Sequence, residues 1–195
     1  MPQTPEKPRR KTRWTYDEYY RMADAGVFRD RHVELINGEI IEMPPQGEPH
    51  YVTILLSAKA VQAAFGNGYV VRTQAPLRTG VDEEPEPDLA VVIGDIRDTL
   101  STGRPRSALL VIEVAITTLD FDLGEKAEIY AGAGIEEYWV LDVEGRRLHV
   151  HRRTIPDTAL PRGRRYSQIE VLDESASATP LAMPNRSIRI SDLLP

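Results

Sequence analysis

The chain contains no cysteine, which excludes disulfides and thiolate metal sites together. Histidine is scarce, with four residues and no His-x-x-x-His spacing, so a helical zinc site is disfavoured. Any metal is then expected to be hard and held by carboxylates, of the magnesium type. No run of eighteen apolar residues occurs, so no membrane-spanning helix is expected. The opening MPQTPEKPRRKTRW has no apolar core and is not expected to act as a secretory signal, which points to a cytoplasmic protein. Positive charge is also in deficit: the net charge of −6 argues against a protein that coats nucleic acid non-specifically. There is no internal repeat and no linker that would divide the chain. A flexible basic arm over residues 1–13 and a single domain over 14–195 are expected, and a hydrophobic fraction of 41% is enough to give that domain a core.

The charge that is present is unevenly placed. Lys7, Arg9, Arg10, Lys11 and Arg13 make the amino-terminal arm basic, and Arg146, Arg147, Arg152, Arg153, Arg162, Arg164 and Arg165 do the same for the carboxy-terminal region. Between them lies an acidic knot of Asp82, Glu83, Glu84, Glu86 and Asp88. Carboxylates flanked by arginines suit a metal-dependent phosphodiesterase, and they equally suit a solvated surface.

The pattern that organises the chain runs from Ala108 to Asp142. An apolar run, Leu109 to Ile112, stops at Glu113. A polar turn with Thr117, Thr118 and Asp120 leads into a helical pattern carrying Asp122 and Lys126, and a glycine stop precedes a second strand from Glu137 to Leu141. Strand, helix, strand in this order lays two strands parallel. A carboxylate at the end of a buried strand, a lysine early in the next helix, and Pro87-Asp88 opening the run Leu89 to Ile93 together form a candidate catalytic set.

Upstream, Thr15 and Glu18 make a capping box for a helix ending near Gly26. Asn37-Gly38 between alternating runs predicts a hairpin, with Glu34 on it as a cross-strand charge or a site residue. Pro49 to Phe65 predicts a helix stopped by Gly66. His50 lies in its first turn, where the helix end favours a neutral imidazole. Strands are predicted at Tyr69 to Thr73 and around Leu77 to Thr79. The alternation of RRLHVHRR predicts another, and YSQIEVL, TPLAM and SIRI short ones, with a helical turn at the end. The fold class is therefore α/β, a mixed α+β sheet with flanking helices and added antiparallel hairpins.

The ordered strings VELINGEIIEMPP, PEPDLAVV, LLVIEVA and LGEKAEIYAGAGIEEYWVLD, over roughly Tyr16 to Arg153, resemble the Uma-two-type restriction endonucleases of the PD-(D/E)XK nuclease superfamily. The resemblance implies a restriction-endonuclease-like core and phosphodiester hydrolysis. It matches Asp88 to the superfamily's metal aspartate and Glu113 to its second metal carboxylate, and Glu34 and His50 to positions near the site. The superfamily's lysine would fall at Ala115; here its place is taken by Lys126 of the next helix. Such chemistry needs a charge-neutralising cation and a positioned water. Asp88, Glu113 and the Val114 carbonyl could share one Mg²⁺ (or Mn²⁺), with Lys126 beside the attacking water and Glu34 at a second ion. Asp122 and Lys126 could instead be a plain i,i+4 ion pair worth about 0.2–0.5 kcal/mol. Arg152 and Arg153 stand for the basic contacts to DNA, with a solvated face or a homodimer contact as the alternative. The competing function is a non-catalytic or partner-dependent nuclease-fold module that binds nucleic acid or protein, which the alanine at 115 favours.

Overall fold

The computed structural model describes residues 12–195, so Lys7, Arg9, Arg10 and Lys11 of the basic arm lie outside the described residues. The described chain opens with α1 (Tyr16–Asp24), the hairpin β1 (Val33–Ile36) and β2 (Glu39–Glu42), and α2 (Glu48–Phe65). Then come β3 (Tyr69–Thr73), β4 (Leu89–Ile93), the short helix α3 (Thr99–Thr102) and β5 (Leu110–Ala115). The crossover holds α4 (Leu119–Phe121), a π-helical turn over Asp122–Lys126, and α5 (Ala127–Gly132). It leads to β6 (Glu137–Asp142), β7 (Arg147–Pro156) and β8 (Arg164–Asp173). A ribbon of β9 (Ser177–Ala178) and β10 (Ile188–Arg189) and a closing helical turn follow.

Six strands make the central sheet, in order β3-β4-β5-β6-β7-β8. Neighbours are antiparallel except β5 and β6, which the helical crossover makes parallel. All six β5 residues are buried, because helices cover both faces of the sheet. The pleat then sorts them. Leu110 and Ile112 join Val61 and Phe65 of α2, and Val111 and Ala115 join Ile129 and Tyr130 of α5. Glu113 shares the parity of Val111 and Ala115, so it lies on the α5 side. The hairpin alternates likewise: Val33 and Leu35 pack on Tyr19 of α1, while Ile36 joins the α5-side core.

Local chemistry explains most boundaries. Thr15 and Glu18 cap α1 reciprocally. Asn37 and Gly38 take the positive φ values of 51° and 70° that a tight hairpin requires. Gly66 ends α2. Two expectations fail. Leu77 to Thr79 is no strand, because Leu77 and Arg78 donate to the carbonyls of Pro85 and Pro105, and proline has no N–H to return the bond. The TPLAM segment is a turn between Pro180 and Pro184, held by Leu181 N–H on Glu137 at 2.7 Å. No helix among the described residues is long and apolar enough to cross a membrane.

Candidate active site

Asp88 immediately precedes β4, opposite the end of β5, and the two strand ends are tied by side chains. The Val114 N–H donates to Asp88 Oδ2 at 2.8 Å, and the Asp88 N–H donates to Glu113 Oε2 at 3.1 Å. Each carboxylate thus holds the other's strand. His50, from the first turn of α2, brings Nε2 to 3.2 Å from Asp88 Oδ2. Glu113 Oε1 accepts the Tyr130 hydroxyl at 2.6 Å and lies 3.3 Å from Lys126 Nζ. Lys126 is also 2.8 Å from Glu34 Oε2 and only 2% exposed. Asp122 is buried and accepts the Thr118 hydroxyl at 2.6 Å.

The Asp122–Lys126 pair is therefore not a surface i,i+4 bridge. The turn between them is π-helical, a form that needs a local reason to persist. Its anchors are the Tyr138 hydroxyl, which donates to the Asp122 carbonyl at 2.9 Å, and the Lys126–Glu34 pair. Asp122 and Lys126 bracket this turn and both are buried, with Lys126 against Glu113 of the sheet and Glu34 of the hairpin. All of Glu34, His50, Asp88, Glu113, Val114, Asp122 and Lys126 line one cleft of about 280 Å³.

The electrostatics follow from packing so many carboxylates around one ammonium. Burial pushes the Glu113 carboxyl up, to about 8; Lys126 opposes this, and Asp88, Asp122 and Glu34 add to it. Burial likewise raises Asp122 to about 6 against the Thr118 hydrogen bond and Lys126. Burial disfavours the charged form of Lys126, yet Glu113 and Glu34 outweigh it and raise its pKa, so Lys126 stays an ammonium. For His50 too, burial is outweighed by Asp88, and its pKa is raised. At His50 the contact with the Asp88 carboxylate works against the helix end, which favours the neutral imidazole.

Among the described residues no three His, Asp or Glu side chains form a ready-made ligand cage. The donor chemistry nevertheless fits a hard divalent cation: the buried oxygen donors outnumber the one ammonium of Lys126, and the neighbouring carboxylates add to the burial that lifts Glu113 and Asp122. Tyr130 and Thr118 are the partners that sequence reasoning did not assign. Tyr130 follows Lys126 by one helical repeat, so the i,i+4 rule places it on the same face.

The arginines separate. Arg152 bonds Glu137 through Nε and Nη2 at 2.8 and 2.6 Å, and the Thr179 carbonyl at 2.6 Å. It pairs with Glu137 across the strands, and the pleat places it with Leu148 and Val150, on the α2 side. Arg152 thus forms a structural ion pair with a fully buried glutamate. Arg153 remains exposed.

The profile of the Uma2 family, described as "Putative restriction endonuclease", matches residues 16–191. No curated protein matches the chain. Among solved structures, the chain resembles a crystal structure of a putative nuclease belonging to DUF820 from Anabaena variabilis. The TM-score is 0.69 at 19% identity, over 92% of this chain and 96% of that one. At that identity the likeness speaks for the fold, and the family profile for the lineage. The profile spans nearly the whole described chain, which therefore belongs to the Uma2 family of putative restriction endonucleases.

Proposed function

We propose that this chain is a Mg²⁺- or Mn²⁺-dependent endonuclease that hydrolyses phosphodiester bonds in DNA. The observation that carries this reading is the meeting of Asp88, Glu113 and Lys126. The Asp88 N–H donates to Glu113 at 3.1 Å, and Lys126 stands 3.3 Å from the same carboxylate. Asp88, Glu113 and the Val114 carbonyl would hold the ion, with Glu34 available to a second. When bound, the ion would offset the phosphate's charge and acidify water. Lys126 keeps its proton, so its part is to hold water and a phosphate oxygen by fixed positive charge, not to abstract a proton. Tyr130 and the Asp88 N–H hold the Glu113 carboxylate in place, and His50 and the Val114 N–H hold Asp88. In the reaction the water oxygen bonds to phosphorus, one ester P–O bond breaks, and the proton lost by water is returned to the departing oxygen through solvent.

The second reading is a non-catalytic or partner-dependent module. One observation favours it: position 115 is a fully buried alanine packed with α5, so no ammonium can come from β5 itself. Lys126 supports the catalytic reading because it brings an ammonium to the Glu113 carboxylate from the neighbouring helix.

Purified protein is expected to nick DNA with Mg²⁺ or Mn²⁺ and to be silent in EDTA. Asp88→Ala and Glu113→Ala should abolish nicking, and Lys126→Ala should slow it by about 10²–10³-fold. Nicking that survives Glu113→Ala unchanged overturns the assignment.

A further inference from the structure

The cleft is poor in what a duplex-binding surface needs. Among its described lining residues Lys126 is the only lysine or arginine, and it is sequestered between Glu34 and Glu113. Duplex binders neutralise several phosphates at once with cations. Apolar side chains contribute to its walls instead: Met43, Pro44, Pro45 and half-buried Phe121. The Gln74 side chain crosses to Gln46 at 2.6 Å, so two amides border the same cleft. Gln74 itself is held at φ 44°, a left-handed conformation that a non-glycine residue adopts at a cost. Its N–H donates to the Asp88 carbonyl at 3.0 Å, which ties this strained residue to the candidate metal aspartate. At about 280 Å³ the cleft is at the small end of ligand pockets. It has room for a group of nucleotide size and not for the flank of a double helix. Its carboxylates lie at the bottom, with Asp88 7% and Glu113 5% exposed.

Resting on the nuclease reading above, we infer that this site takes an unpaired nucleotide of a single strand rather than an intact duplex. A splayed nucleotide reaches the buried carboxylates where a paired one is held back by its own helix. An aromatic ring and prolines offer a face for a base to stack on without reading its sequence. The paired glutamines offer donors and acceptors to a base edge or sugar.

The test uses the full chain and one fluorescent DNA strand, presented single-stranded or annealed as a blunt duplex. Binding is read by anisotropy in Ca²⁺ and cleavage in Mn²⁺. The single strand is expected to bind about tenfold tighter and to be cut faster. Phe121→Ala should lower single-strand affinity about tenfold, the loss of one stacked base. Phe121→Tyr, which keeps the ring, should retain it and guards against a folding defect in the alanine variant. Equal or better binding and cutting of the blunt duplex, with Phe121→Ala silent, overturns this inference and leaves the nuclease reading standing. Absence of binding and cleavage with both substrates overturns both. An RNA strand of the same sequence, if preferred, keeps the unpaired-nucleotide inference and moves the sugar specificity.

Discussion

Glu113 shows how one buried position links stability to chemistry. Its folded-state pKa is raised to about 8, so below that pH the folded protein holds a proton that the unfolded chain, at an ordinary carboxylate value, has already lost. Stability is therefore lost as the pH rises toward 8. His50 acts in the same direction, since its raised value means that its contribution is present at low pH and fades as pH climbs through it. His151 acts oppositely: burial, then His149, lowers it to about 4, so stability is lost as pH falls from 6.5. Between about pH 6.5 and 8 the first two dominate. In EDTA the melting temperature should fall across that window, and saturating Mg²⁺ should flatten the fall by satisfying the carboxylate. Glu113→Gln should also flatten it. The slope is the readout there, because an amide cannot accept both hydrogen bonds that Glu113 receives from Tyr130 and Asp88. An unchanged slope in Glu113→Gln would show that the carboxyl titrates elsewhere.

At the scale of an element, the π turn decides where Lys126 goes. A helix in strict α register between Asp122 and Ala127 would rotate one of its two ends by about 100° per residue removed. Gly124 lies in the turn with open space where a Cβ would stand, so a methyl there meets no neighbour. Deleting Gly124 should leave the far-ultraviolet circular dichroism near that of the parent while cutting nicking by at least about 10²-fold, because Lys126 is displaced from its place between Glu34 and Glu113. Gly124→Ala keeps the register and should keep activity, with helix stability raised by roughly 0.5–1 kcal/mol. If the deletion variant nicks normally, the register of this turn is irrelevant to the site. The hairpin is the other element that matters, since it brings Glu34 onto Lys126 from a position 92 residues away.

For the whole molecule, the net charge of −6 and the acidic cleft repel an anionic substrate. Binding should be undetectable in EDTA and appear with Ca²⁺, measured by anisotropy; equal affinity in both would point to a surface outside the cleft. The carboxy-terminal arginines do not act as a set. Arg152→Ala leaves Glu137, which is fully buried, without its cation, and should cost about 3–5 kcal/mol in denaturant unfolding. Arg153→Ala should change stability by less than about 0.5 kcal/mol. Equal effects of the two would contradict the division of roles between them.

Much of this protein was determined locally and was legible from the chain alone. The Asn37-Gly38 hairpin, the capped α1, α2 with its glycine stop, and the β5–helix–β6 crossover each depend on backbone preferences of a few adjacent residues. Asp88 and Glu113 were legible because the first borders a buried strand and the second interrupts an apolar one, where a carboxylate needs a reason. What only the tertiary structure decided is partnership. Spacing alone offered Asp122 as the partner of Lys126, whereas the folded chain gives the lysine to Glu34 and Glu113. Composition alone made Arg152 one of a basic group, whereas the pleat pairs it with Glu137 on the α2 side of the sheet. The π register, the raised Glu113 and the apolar walls of the cleft belong to the same class. The physical reason is common to all of them. Backbone preferences act over a few residues, while the electrostatics of a buried charge are set by whatever the fold brings within a few ångströms, however distant along the chain.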